Sequence, residues 1–167
     1  MIEYLITGFI VLVLIVTTFI FLIVVPKHKY YFDPNIYPDL INFTGEQTYA
    51  NVKKECIPIQ DTFIIYSNKH VNHDNIKLIP DTYTILRTIP DVRNVFITVL
   101  KPKTKTTRHK GSADLANNTL RCVLPLEISG AKKTGVWVDG ETKFYTDREW
   151  IVYDDSRENN SFNSERF

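Results

Sequence analysis

The amino terminus carries an uncharged, apolar run that most constrains how this chain can fold. The first charged residue is Glu3 and the next is Lys27, so residues 4–26 carry no charge and consist mostly of Ile, Leu, Val and Phe. About 20 apolar residues are enough to cross a bilayer. The run lacks the basic start and the small-residue cleavage site of a signal peptide. It predicts an uncleaved transmembrane anchor in residues 1–29, followed by one folded domain in residues 30–167.

The alternative to an anchor is a buried core helix, but a surface that is apolar all round has no polar face to turn outward. No Lys or Arg precedes the run, whereas Lys27 and Lys29 follow it. The positive-inside rule then predicts a single-pass membrane protein with a cytosolic domain. Sequons at Asn42, Asn117 and Asn159 would be open to glycosylation in the opposite orientation, so an adhesin-like ectodomain stays a further possibility.

The composition after the run excludes several classes of protein. All 20 Lys and Arg and every acidic residue except Glu3 lie there. The domain is therefore close to neutral and lacks the basic excess expected for a nucleic-acid partner. Cys56 and Cys122 could form one disulfide, but they cannot form a disulfide framework and lack metal-type spacing. The length and the aromatic content of 13% are those of one folded domain.

One amphipathic helix is predicted near the start of this domain. It follows an extended, proline-punctuated segment at residues 31–38. Thr44 and Gln47 have the form of a capping box. The helix is expected over residues 45–57, because apolar side chains recur there at helical spacing. These side chains are Tyr49, Val52 and Cys56.

Beyond the helix, short β-rich runs separated by Pro, Gly, Asn and Asp predict an antiparallel sandwich or barrel. The predicted strands cover residues 62–66, 83–88, 94–100, 119–128, 135–138, 143–146 and 150–153. Alternation along residues 119–128 places Arg121 and Val123 on one face, with Leu120, Cys122 and Leu124 on the other. An arginine in so apolar a strand indicates either a function or a surface position, and alternation alone does not decide between them.

Three ordered blocks of sequence carry a family pattern. They are Val99-Leu-Lys-Pro-Lys-Thr-Lys-Thr-Thr-Arg-His109-Lys-Gly111, Leu120-Arg121-Cys-Val-Leu124 and Trp150-Ile-Val-Tyr-Asp-Asp-Ser156-Arg-Glu-Asn-Asn-Ser-Phe-Asn163. They resemble the aspartyl/asparaginyl β-hydroxylase family, including its lipid A hydroxylase branch with an amino-terminal anchor. The family pattern runs approximately L-x-P-G-x-x-I-x-x-H-x-G, R-x-H-L-x-L and F-D-D-S-x-x-H-E-x-W-N. The segment at residues 31–38 and the helix after it also resemble this family.

The resemblance implies a double-stranded β-helix, the cupin-like jelly roll, that holds Fe(II) and uses 2-oxoglutarate and O₂. It implies His109 as the first metal ligand and Arg121 as the residue that binds the oxoacid carboxylate, for which a guanidinium fork is suited. Most such oxygenases bind iron through two His and one carboxylate. This family uses two His without the carboxylate, and Gly111 two residues after His109 agrees with that.

The sequence departs from the family pattern at three positions. Asn159 stands where the second metal histidine is expected, and its amide oxygen would be a weaker ligand. Val123 replaces the pocket histidine of R-x-H. Arg166 aligns imperfectly with the arginine that contacts the oxoacid near the carboxyl end, and the chain stops at Phe167. This spacing is consistent with a missing last strand or a shortened chain.

Other residues could replace the missing ligand, but each has a simpler interpretation. His70 and His73 form an H-x-x-H in a polar loop, where exposed histidines are expected. Asp154 or Asp155 could donate a carboxylate, although in the family this pair supports the strand and its turn.

Two functions of different classes follow from these features. The first is a membrane-anchored Fe(II)/2-oxoglutarate-dependent hydroxylase that acts on a peptidyl Asp or Asn side chain or on a lipid. The alternative is a catalytically degenerate jelly-roll membrane protein with a binding or structural role.

Overall fold

The computed structural model describes residues 30–111, 119–128, 130 and 132–164. The predicted localisation as a single-pass membrane protein is contradicted, because no helix within these ranges is long and apolar enough to cross a bilayer. The longest described helix, Glu46–Cys56, has 11 residues and carries charged side chains, whereas a span needs about 20 apolar residues. The apolar run at residues 4–26 and its flanking lysines lie outside the described residues.

Three short α-helices lie in the first half of the described chain. They are α1 (Pro38–Ile41), α2 (Glu46–Cys56) and α3 (Pro80–Leu86), with 3₁₀ turns at Pro34–Ile36, Asn42–Thr44 and Asn75–Leu78. Helix α2 confirms the helix expected over residues 45–57, but the predicted capping box is wrong. The Thr44 hydroxyl donates to the Ile41 carbonyl at 2.8 Å, and Gln47 donates to Asn51 at 2.9 Å. Thr44 ends the preceding 3₁₀ turn, so Gly45 instead of Thr44 occupies the N-cap position of α2.

Helix α3 replaces the strand predicted at residues 83–88, and its start explains the difference. Pro80 occupies the first turn, where its missing N–H costs nothing. The Glu55 carboxylate on α2 accepts the N–H groups of Asp81 and Thr82 at 3.0 and 2.8 Å. It therefore supplies, from another element, the cap that the α3 sequence lacks.

Within the described residues, ten strands form three antiparallel sheets, which confirms a mainly β fold with few helices. The strands are β1 (Tyr31–Phe32), β2 (Phe63–Ser67), β3 (His70–Val71), β4 (Val95–Ile97), β5 (Thr104–Lys105), β6 (Leu120–Val123), β7 (Thr134–Val138), β8 (Glu141–Phe144), β9 (Ile151–Asp154) and β10 (Asn159–Asn163). The sheet orders are β1-β9-β6, β5-β10-β7-β8 and β3-β2-β4.

In the part of the chain that the structure describes, two apolar clusters form the core. The first joins β1, β7 and β9, so the sheets that contain these strands share one interior. Its buried members are Tyr31, Val136, Val138, Ile151 and Tyr153. The second lies among α2, α3 and β2 and includes Cys56. Cys122 is exposed, and both cysteines are free thiols, so the possible disulfide does not form.

Strand β6 is shorter than the predicted strand at residues 119–128. It ends at Val123, and the side chains of Leu124 and Leu126 pack on the second apolar cluster, which lies among α2, α3 and β2. Along β6, Arg121 lies opposite Tyr153 and Val123 lies opposite Ile151. Tyr153 and Ile151 belong to the first apolar cluster. Arg121 and Val123 therefore face the shared interior, as opposite residues of an antiparallel pair lie on one side of the sheet.

Candidate functional site

The backbone places the two positions predicted as metal ligands opposite each other. His109 and Asn159 form an isolated antiparallel bridge between β10 and the segment after β5. The His109 N–H donates to the Asn159 carbonyl at 3.0 Å, and the Asn159 N–H donates to the His109 carbonyl at 2.8 Å. The His109 side chain is exposed, and its Nδ1 lies 2.9 Å from the Thr107 carbonyl. A carbonyl only accepts, so this contact requires a proton on Nδ1 and leaves Nε2 as the free ring nitrogen.

The Asn159 side chain is enclosed by the protein. It is 2% exposed. Its Nδ2 donates to the Arg157 carbonyl at 3.0 Å and to the Asp155 carboxylate at 3.3 Å. Its Oδ1 accepts from the Tyr153 hydroxyl at 3.5 Å. Both ends of the amide are therefore engaged within the protein.

Arg121 pairs with an acidic residue inside the fold. Its guanidinium lies 2.7 Å from Asp155 Oδ2, with the two side chains 28% and 10% exposed. It also lies over the exposed Phe96 ring, 5.3 Å from the ring centroid. Burial alone would lower the pKa of Arg121, but the hydrogen bond and the charge of Asp155 hold this pKa above its usual value. The arginine is therefore held in place by an internal carboxylate.

Gly111 makes room for the same carboxylate. Its N–H donates to the Asp155 carbonyl at 2.8 Å. A Cβ at this position would lie 2.5 Å from Asp155 Oδ2, so any larger residue would displace Asp155. Asp155 contacts Gly111, Arg121 and Asn159, and Asn159 in turn contacts Tyr153. We call these five residues the Asp155 cluster.

Asp154 and Asp155 have different roles. Asp154 Oδ1 accepts the Ser156 N–H at 2.9 Å and the Ser156 hydroxyl at 2.6 Å, so Asp154 stabilises the turn, as the resemblance implied for the pair. Partial burial would raise the pKa of Asp154, but hydrogen bonds from Ser156 and the charge of Arg157 lower it. The sequence interpretation missed Asp155 as the partner of Arg121. The available signal was that an arginine facing an apolar interior needs an anion.

The other predicted site residues lie elsewhere. Val123 is half-buried and packs on the first apolar cluster. Arg166 lies outside the described residues. His70 and His73 are exposed, as expected, but His70 begins strand β3 instead of lying in a loop. Within the described ranges, no three His, Cys, Asp or Glu side chains are grouped so that they could hold a metal ion.

The aspartyl/asparaginyl β-hydroxylase family matches residues 39–166 of the sequence. The chain belongs to this family. A comparison with curated proteins finds no match. Family membership supports an aspartyl/asparaginyl hydroxylase-like function for the domain, and it confirms the resemblance carried by the blocks around His109, Arg121 and Asp155.

The residues at this site do not fit the Fe(II) that a hydroxylase of this kind generally uses. His109 offers one free ring nitrogen. The Asn159 amide is committed to Tyr153, Arg157 and Asp155, and the Asp155 carboxylate is committed to Arg121. Among the described residues, coordination by Asn159 or Asp155 would therefore compete with buried hydrogen bonds, which are costly to leave unmade.

Proposed function

We propose that this chain is a non-catalytic member of the aspartyl/asparaginyl β-hydroxylase family, a jelly-roll domain with a binding or structural role. The jelly-roll assignment is supported by the antiparallel orders β5-β10-β7-β8 and β1-β9-β6, whose strands share one apolar interior.

One observation carries the proposal. Asn159, at the position of the second metal histidine, is buried and uses both ends of its amide inside the protein. Such a side chain serves as a structural link rather than as a ligand, because its Oδ1 contacts the Tyr153 hydroxyl in the interior, whereas the His109 side chain is exposed to solvent. Val123 supports the same function, since its apolar side chain extends the core where the family pattern has a polar one.

The second candidate is an active Fe(II)/2-oxoglutarate-dependent hydroxylase of a peptidyl Asp or Asn side chain or of a lipid. It is favoured by the bridge between His109 and Asn159, which holds the two ligand positions side by side. It is also favoured by Arg121 facing the interior, where it would contact an oxoacid. In this candidate, Asp155 would have to release Arg121 before the oxoacid binds.

Metal binding and turnover separate the two candidates. The full chain is titrated anaerobically with Fe(II) by calorimetry, and succinate release from 2-oxoglutarate is followed in air. We expect no stoichiometric metal binding and no succinate above a buffer blank. Stoichiometric binding with turnover would refute the non-catalytic proposal and establish the enzyme.

A pair of variants provides the positive control. Asn159→His places an imidazole opposite His109 and should create measurable affinity for Fe(II). Ser161 lies on the same strand and face as Asn159, two residues further along, and its carbonyl accepts the Thr106 N–H. Ser161→His should therefore create no affinity for Fe(II). If Asn159→His folds but gains no affinity, the loss of one histidine does not explain the absence of metal binding.

A further inference from the structure

A shallow cavity, largely open to solvent and about 310 Å³ in volume, lies between the β2–β3 hairpin and α3. This volume is in the range of small-molecule sites, roughly 300–1,000 Å³. Buried or half-buried apolar side chains from α3 and the following loop line part of it, namely Leu86, Ile89 and Val92. Two tyrosines line it as well, Tyr66 and Tyr83. None of these residues belongs to the Asp155 cluster.

Two cations at this cavity form no ion pair with any acidic residue that the structure describes. Lys69 and Arg87 line it and are exposed. Neither forms an ion pair with another residue in the described part of the chain. Asp91 also lines the cavity, so the formal charge of its wall is +1. Such a wall attracts anions.

The position of Lys69 is held by a strained turn. Asn68 and Lys69 join β2 to β3 with φ values of 50° and 68°, the left-handed conformation that two-residue hairpin turns require and that favours glycine at the second position. The Lys69 N–H donates to the Arg93 carbonyl at 2.8 Å, and the Asn68 N–H donates to Asn94 Oδ1 at 2.8 Å. The chain therefore places a lysine at the cavity where glycine would be less strained. Strain of this kind is often found at binding sites.

The tyrosines add hydrogen-bond donors and a flat apolar surface. The rings of Tyr66 and Tyr83 lie 6.0 Å apart between centroids with an angle of 31° between their planes. The Arg87 guanidinium lies 5.9 Å from the Tyr83 ring centroid. Burial and the neighbouring Tyr83 raise the pKa of Tyr66, and a tyrosine hydroxyl is a donor at neutral pH.

We propose that this cavity, the Tyr66–Tyr83 pocket, binds a small phosphomonoester with an apolar body. The phosphate dianion complements Lys69 and Arg87, and the tyrosine hydroxyls can donate to its oxygens. The apolar side chains from α3 and the following loop then contact the body of the ligand. This site is separate from the proposed function and needs no metal.

Calorimetry with phenyl phosphate on the full chain tests the proposal, with inorganic phosphate and phenol as probes of each half of the ligand. Phenyl phosphate should bind more tightly than either. Lys69→Gly should weaken its binding about tenfold, the loss expected for one charge-assisted contact, while the midpoint of thermal unfolding stays equal or rises because glycine relieves the strain. Arg87→Gln should weaken binding similarly.

Lys77→Gln is the matched control, since Lys77 is exposed and pairs with Asp74 at 2.9 Å outside the cavity. It should leave the affinity unchanged. The proposal is wrong if phenyl phosphate does not bind at millimolar concentration, if inorganic phosphate binds equally well, or if Lys69→Gly and Lys77→Gln bind phenyl phosphate alike.

Discussion

Asp155→Asn tests whether the ion pair with Arg121 stabilises the site as its geometry indicates. The substitution keeps the shape of the side chain but removes the charge that lies 2.7 Å from the guanidinium. Arg121 would then keep its charge in a partly buried position without a carboxylate partner. We expect the free energy of unfolding to fall, because the desolvation of Arg121 is no longer offset.

The expected loss lies between two limits. Removing one partner of a fully buried pair costs about 3–5 kcal/mol, and a fully exposed pair contributes about 0.2–1 kcal/mol. The Arg121 and Asp155 side chains are 28% and 10% exposed, so a loss of about 2 kcal/mol is expected. With a urea dependence of about 2 kcal/mol per molar, this moves the unfolding midpoint down by about 1 M.

Urea unfolding of the full chain, followed by circular dichroism, measures this shift. Asp74→Asn is the control, because Asp74 and Lys77 form a pair of similar length, 2.9 Å, with both side chains largely exposed. It should move the midpoint by much less. Arg121→Met alone and combined with Asp155→Asn completes a double-mutant cycle, in which we expect a coupling energy of about 1–2 kcal/mol.

Two results would refute this reasoning. One is an Asp155→Asn variant that is destabilised no more than Asp74→Asn. The other is a cycle in which the effects of Arg121→Met and Asp155→Asn simply add. Succinate gives a further check. Because Asp155→Asn frees Arg121, about 10 mM succinate should stabilise this variant more than the wild-type chain.

Two further predictions concern neighbouring residues. Gly111→Ala should lower the free energy of unfolding by about 1–3 kcal/mol, because the added Cβ displaces the Asp155 carboxylate. Gly45→Ala is the control: its added Cβ meets no atom closer than 3.7 Å, so it should change this free energy by less than about 1 kcal/mol. Equal losses in urea unfolding would contradict the steric argument. Because hydrogen bonds from Ser156 lower the pKa of Asp154, ionised Asp154 stabilises the fold above the ordinary carboxyl pKa, and this contribution disappears as the pH falls through the lowered value. Between about pH 5 and pH 2, the urea midpoint should therefore fall more steeply in the wild-type chain than in Asp154→Asn.

The sequence pattern correctly predicted those helices and strands whose regularly spaced apolar side chains face the core. Helix α2 and strands β2, β7 and β9 lie where the pattern placed them, because each carries regularly spaced side chains that face one of the two clusters. Strand β10 was missed. Its sequence, Asn-Asn-Ser-Phe-Asn, has little β propensity, and it is a strand because it pairs with β7 along its whole length.

At the site too, positions within a local sequence block were predicted, whereas contacts between distant segments were not. The family blocks identified His109, Arg121 and Asn159 by position, and the structure brings His109 and Asn159 into direct backbone contact. The partner of Arg121 could not be read from spacing, since Asp155 lies 34 residues away and reaches the arginine through the turn after β9. The α3 cap from Glu55 is of the same kind. Interactions between distant segments were therefore the part that the sequence pattern did not predict.

The contacts of Asn159 explain why an asparagine fits this position. Its single Nδ2 group donates two hydrogen bonds, one to the Arg157 carbonyl and one to Asp155. An amide NH₂ carries two donors on one nitrogen, whereas each imidazole nitrogen carries at most one. A histidine here would leave either the Arg157 carbonyl or the Asp155 carboxylate without this donor, unless a metal or water took part. The asparagine therefore closes a network that includes the partner of Arg121, so the side chain at position 159 and the internal pairing of Arg121 belong to one set of buried contacts.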